Sequence, residues 1–193
     1  VQREEQTRRA GGSVETRVVD LSDRGACLEL AEEVRTNAAD LRVLVNNAAV
    51  LRRERVVDLD LDHWDHTMAV NLTAPLILCS EIAPILAESG GSIINVSSRA
   101  GRLAFHGQSA YCAAKFGIEA ITRCLALELA GAPVSVNTVT PGLRIKPTSL
   151  MRADAIAAPE DERAEWNDPI ELAPAFLFLS SLRGDISGYR FDA

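Results

Sequence analysis

Short β-branched runs alternate along this chain with longer stretches whose apolar residues recur at helical spacing. Residues 16–20 (TRVVD), 41–46 (LRVLVN), 92–96 (SIINV) and 134–139 (VSVNTV) read as strands, and 189–192 as a closing strand. Between them, a helix capped by Ser22 is expected to run to about Thr36, with Ala26, Leu28, Leu30, Ala31 and Val34 as its apolar positions. A long helix is expected over 61–88, adjusted near Pro75 and Pro84, because proline removes a helical donor. Gly90-Gly91 ends it. Further helices are expected over 109–129 and 169–181, the second opened by Asp168-Pro169. Residues 1–10 look helical up to Gly11-Gly12, and 143–168 read as a polar loop or small lid.

Strands that alternate with helices build a parallel sheet covered on both faces, an α/β doubly wound architecture. The nearly continuous apolar strands fit burial on both faces. Ligands of such sheets bind beyond the carboxyl ends of the strands. There the chain places Asp20-Leu21, Asn46-Asn47-Ala48-Ala49, Ser97-Ser98 and Pro141-Gly142.

Composition narrows the picture. The 193 residues suffice for one domain, and a net charge of −7 argues against nucleic acid. Arg8-Arg9 and Arg52-Arg53 are too short to form a basic stripe. Cys27, Cys79, Cys112 and Cys124 show no zinc or CxxC spacing. Three of them, Cys79, Cys112 and Cys124, sit in apolar runs as small hydrophobes, which fits a reducing, cytoplasmic setting. No apolar stretch of membrane-spanning length and no signal peptide is read in the sequence. His63 and His66 share a helix face without a third ligand, so no metal is expected.

Tyr111-Cys112-Ala113-Ala114-Lys115 carries the chemistry. Residues four apart share a helix face, and a lysine cation beside a phenol favours the phenolate. Such a tyrosine can protonate a carbonyl oxygen or deprotonate an alcohol. Ser98, just after a predicted strand, can hydrogen-bond a substrate oxygen. No Ser-His-Asp pattern supports a nucleophilic role for it. Asn71, between Val70 and Leu72, either bonds backbone or holds a water for a proton relay.

In order and spacing these residues resemble the short-chain dehydrogenase/reductase family, as do the Asn46-Asn47-Ala48-Ala49 turn and Val136-Asn137 through Pro141-Gly142. The likeness covers nearly the whole chain and points to members such as 3-oxoacyl thioester reductases and sugar-alcohol dehydrogenases. It implies a single Rossmann-like domain over 1–193, NAD or NADP as cofactor, and interconversion of a secondary alcohol and a ketone. It implies Tyr111 as general acid/base, and Lys115 as the residue that tunes it and binds the nicotinamide ribose. Ser98 would polarise the carbonyl and Asn71 would support a relay. Asp20 and Leu21 would meet the adenine, Asn46, Asn47 and Ala48 would line the adenosine region, and Pro141 and Gly142 would pass the nicotinamide. A homodimer or homotetramer is implied as well.

The sequence departs from the family pattern at the front. No glycine-rich TGxxxGxG turn precedes Asp20, and a strand-helix-strand unit of about 30 residues or more is missing. Backbone amides at such a turn hold a pyrophosphate, so its loss weakens cofactor binding. The rival expectation is therefore a non-catalytic remnant that acts through helix-mediated association. Ala49 replaces the usual glycine of its turn. Thr148 stands near the expected nicotinamide threonine. Arg144 and Lys146 are either anion contacts or exposed loop charges, and His106 either lines the substrate pocket or lies on the surface.

Overall fold

The computed structural model describes residues 11–38, 40–141, 145 and 167–193. The expected helix over 1–10 and nearly all of the 143–168 loop, with Arg144, Lys146 and Thr148, lie outside them, as does Gly142.

Four parallel strands form one sheet in the order β1 (Val43–Asn46), β2 (Gly91–Val96), β3 (Val134–Thr140) and β4 (Arg190–Asp192). Side chains of successive strand residues point to opposite faces. Ile93, Val134 and Val136 pack on one side with Cys79, Ile82 and Leu86, while Ile94, Val96 and Val139 pack on the other with Leu179. The helices α1 (Arg24–Asn37), α3 (Ala74–Ser89) and α4 (Ser109–Glu128) serve the first side, and α5 (Ala173–Ser181) serves the second. Helices on both faces of a parallel sheet make the fold α/β and Rossmann-like, as the alternation of strands and helices predicts. Buried Ser92 ties the second side together, since its hydroxyl meets Ser135 Oγ at 2.9 Å and donates to Leu179 O at 2.7 Å.

The expected strand over 16–20 is not formed; residues 12–20 run without ladder pairing. A strand is stabilised by its neighbour, and β1, the near edge of the sheet, is bonded only to β2. Val18 is consequently fully exposed. Ser22 does not cap α1 either. Asp23 does, accepting from the amides of Gly25 and Ala26, while the Ser22 hydroxyl donates to Asp20 Oδ1.

The expected helix over 61–88 is one helical run with a change of pitch. It comprises α2 (Leu61–Met68), a π-helical turn (Ala69–Thr73) and α3. Pro75 explains the position, since it has no N–H to return to the carbonyl of Asn71. Ala74 N–H instead reaches Ala69 O, five residues back. The run Leu61–Ser89 is 29 residues long and apolar enough to cross a membrane by length and composition, which corrects the expectation that no stretch is. Its buried positions Cys79, Ile82, Ala83 and Leu86 pack on the sheet. Cys124, expected among the buried thiols, is exposed.

The helix over 169–181 divides into a 3-10 turn (Pro169–Leu172) and α5. Asp168 and Glu171 form a reciprocal capping box at its start. At the end of α3, Gly90 takes φ of 76°, a left-handed conformation that suits glycine. Gly91 then starts β2 against the Arg42 carbonyl, which a Cβ there would meet at 2.5 Å.

Candidate active site

The carboxyl ends of β1, β2 and β3 open onto one rim, and the residues that follow them carry the polar chemistry. β2 delivers Ser97 and Ser98. The Ser98 side chain caps a 3-10 turn (Arg99–Gly101) by accepting from Ala100 N at 3.2 Å, which fixes its backbone at the top of the sheet. α4 then runs back beneath this turn. The first turn of α4 carries Tyr111 and the second carries Lys115, four residues apart and on one face.

Lys115 is 3% exposed, an unusual place for an ammonium. Its Nζ donates to Val96 O at 2.7 Å and lies 5.6 Å from the centroid of the Tyr111 ring. Burial brings its pKa down to about 8, with the Glu119 carboxylate opposing the fall. Below that pH the side chain is cationic.

Tyr111 departs from expectation in the direction of its shift. Burial pushes the phenol above its ordinary value, a hydrogen bond with the Ser98 side chain draws it back, and Cys112 adds to the rise. Desolvation of the phenolate outweighs the pull of the Ser98 side chain. The phenol is therefore protonated at neutral pH and set to donate.

Asn71 is 1% exposed and sits within the π turn. Its Oδ1 accepts from Val50 N and its Nδ2 donates to Val50 O, both at 2.8 Å. Of the two roles open to it, backbone bonding is the one seen, and the backbone belongs to the loop after β1. The π turn packs on α4, where a Cβ at Gly117 would come 2.8 Å from Leu72 Cδ1. Asn71 thus couples the loop at the end of β1 to the helix under the site.

The residues expected to meet the adenosine half gather in part. Leu21, Asn46, Asn47 and Ala48 line one crevice of about 140 Å³. Asn46 faces inward, however, donating to Asn95 Oδ1 at 2.8 Å. Asp20 is exposed, and the Ser22 hydroxyl and then the Ser22 amide hold its carboxyl below the usual range. Pro141 follows β3, half-buried. His106 is exposed, and His63 is engaged with Glu54 at 2.8 Å.

Two site residues are not evident from the motif. Glu119 and Arg190 are both largely buried behind Lys115 and Ser98. Glu119 had a signal, since it continues the Tyr111–Lys115 spacing by four more residues along the same helix face. Arg190 had none, because it arrives from the last strand.

Residues 1–155 match the family model described as short chain dehydrogenase, and the chain belongs to this family. It is 33% identical over 168 residues to a D-threitol dehydrogenase of Mycolicibacterium smegmatis, covering 84% of this chain and 64% of that one. Against a trans-4-hydroxycyclohexanecarboxylate dehydrogenase of Sinomonas cyclohexanicum it is 36% identical over 142 residues, or 73% of this chain and 54% of that one. The chain thus spans a little over half to just under two thirds of these two relatives. A solved structure assigned as an NAD(P)-dependent gluconate 5-dehydrogenase from Beutenbergia cavernae, with NADP bound at low occupancy, superposes with a TM-score of 0.87. It is 27% identical, and the match covers 99% of this chain and 79% of that one.

Proposed function

We propose that the protein interconverts a secondary alcohol and a ketone with NAD or NADP, Tyr111 serving as the general acid/base. The observation that carries this reading is the convergence of Ser98, Tyr111 and Lys115 at the end of β2, with buried Lys115 donating to the Val96 carbonyl and its ammonium 5.6 Å from the Tyr111 ring. The dehydrogenase relatives and the NADP-bound structural neighbour support it.

The donor set suits the nicotinamide-ribose end of such a cofactor. A lysine ammonium has three N–H donors, and the Val96 carbonyl takes one. The other two are suited to ribose hydroxyls. Leu21, Asn47 and Ala48 would border the adenosine end. Among the described residues no glycine-rich turn joins a strand to a helix, so the pyrophosphate has no matching cradle there. When bound, the cofactor supplies or accepts the hydride. Ser98 donates to the substrate oxygen and orients it, and Tyr111 gives the phenolic proton to that oxygen as the carbonyl is reduced. In the reverse direction Tyr111 takes the proton back. Lys115 holds positive charge beside the phenolate so formed. Asn71 secures the loop on Val50, and its part in a proton relay belongs to this reading.

A second reading, a non-catalytic remnant acting through helix-mediated association, is carried by the absence among the described residues of a glycine-rich turn joining a strand to a helix. Titration with NADH and NADPH, followed by ketone-dependent oxidation of the one that binds, separates the two. Saturable binding with turnover supports the enzyme. No binding at millimolar cofactor sinks that reading for this chain and leaves the remnant.

A further inference from the structure

Glu119 is 5% exposed, on the face of α4 that carries Tyr111 and Lys115. A buried carboxylate is destabilising unless paired and fully hydrogen-bonded. Glu119 is only partly so. Its Oε2 accepts from Thr138 Oγ1 at 3.1 Å, and Arg123 on the surface approaches at 4.0 Å. Its Oε1 has no hydrogen bond among the described residues. The group opposite Oε1 is Arg190 Nη1, an ion-pair contact at 3.5 Å.

Arg190 belongs to β4, and its guanidinium fans out to three partners. Besides Glu119, Nε donates to Asp192 Oδ1 at 2.9 Å and Nη2 donates to the Ser98 carbonyl at 3.4 Å. One planar fork therefore joins the closing strand, the helix of Tyr111 and Lys115, and the backbone of the serine on β2. Gly101, at the end of the turn that Ser98 caps, packs against the stem of the same side chain, since a Cβ there would lie 3.2 Å from Glu119 Cγ. Arg190 reaches the site through the Ser98 carbonyl, while Glu119 also acts on Lys115, whose pKa its carboxylate raises.

We propose that Glu119 and Arg190 form a clamp that positions Ser98 against Tyr111, with Glu119 anchoring the guanidinium and Arg190 holding the Ser98 carbonyl. They are positioning residues. The proposal rests on the assignment of Ser98 and Tyr111 given above, and it adds the device that sets their separation. An arginine is suited to it because five N–H donors in a rigid plane can serve several acceptors at once, whereas a lysine ammonium acts as a single point charge.

The test uses the full chain and reads the Ser98–Tyr111 contact without needing turnover. The chain has two tyrosines. In a Tyr189→Phe background Tyr111 is the one phenol whose ionisation changes absorbance near 295 nm. The Ser98 hydrogen bond lowers its titration midpoint, so loosening the clamp must raise that midpoint. Arg190→Lys is the deciding variant, because it keeps the charge and the pairing with Glu119 while losing the reach to Ser98. The expected result is a midpoint raised by roughly half a pH unit or more. Where turnover is measurable, kcat falls roughly ten- to a hundredfold and the KM for cofactor stays within about twofold, as a misplaced catalytic group predicts. Glu119→Gln is isosteric and should act in the same direction. If it fails to fold, Arg190→Lys alone decides. An unmoved midpoint in a folded Arg190→Lys protein overturns the clamp, whatever the activity. A raised midpoint in a protein that turns nothing over supports the clamp and overturns the enzymatic reading instead.

Discussion

At the residue scale, the site couples a buried cation to a partly buried phenol, and each shift has a sign that can be followed. Folded Lys115 loses its proton near pH 8, against 10.5 ordinarily. Between those values the unfolded chain binds more protons than the folded one, so stability rises with pH across the window. Below pH 8 the penalty for burying the cation is felt in full. Its size is roughly 3 kcal/mol, from a shift of about 2.5 pH units at 1.36 kcal/mol each. Lys115→Met removes the titration. Wild type should therefore gain on this variant by up to roughly 3 kcal/mol between pH 7 and pH 10.5, read by denaturant unfolding. A pH-independent difference would contradict the burial of Lys115. The YxxxK pair and Ser98 were legible in the sequence because helical periodicity and the strand-to-loop transition locate them. The direction of the Tyr111 shift was not, because it depends on how much water the fold excludes. Arg190 was not either, because nothing local connects residue 190 to residue 98.

At the scale of elements, the sequence pattern located every α-helix whose residues are described and every strand that has a neighbour. It failed for residues 16–20, whose β-branched valines suggest a strand that finds no pairing partner. Val18 projects into solvent, so Val18→Ser should change stability by no more than about 0.5 kcal/mol. A loss well beyond that would show that the segment is packed. Gly91 is the opposite case. It was legible only as part of a helix-ending pair, yet its α-carbon lies against the Arg42 carbonyl. Gly91→Ala should cost about 1–3 kcal/mol, because backbone rather than a flexible side chain must move. An unchanged denaturation midpoint would show that β1 and β2 are less closely set. The π turn was anticipated only as an adjustment near Pro75. Its fuller role is to hold Asn71 where both ends of the amide reach Val50.

At the scale of the molecule, the sheet is built around β2 and β3, and both flanks of that pair are dry. The near edge differs. Val45 of β1 is 42% exposed, and a wide groove lined by Val43, Val45, Ile94, Phe176 and Leu177 runs beside α5. The proposed proton-transfer residues lie on the covered part of the sheet, just after β2 and on α4, so their geometry does not depend on that edge. On the proposed function, cofactor affinity would draw on residues around the rim of β1 and would be the property most sensitive to it. The chemistry proposed for Tyr111 and the binding of cofactor are thus separable by experiment. The most direct measurement of the first is steady-state reduction of a ketone by the reduced cofactor, comparing wild type with Tyr111→Phe. The variant keeps the ring and loses the phenolic hydroxyl, and with it the proton the reaction uses. A folded variant with kcat reduced by at least roughly a hundredfold and cofactor affinity retained is the predicted result. A folded Tyr111→Phe protein that turns over at the wild-type rate would contradict it.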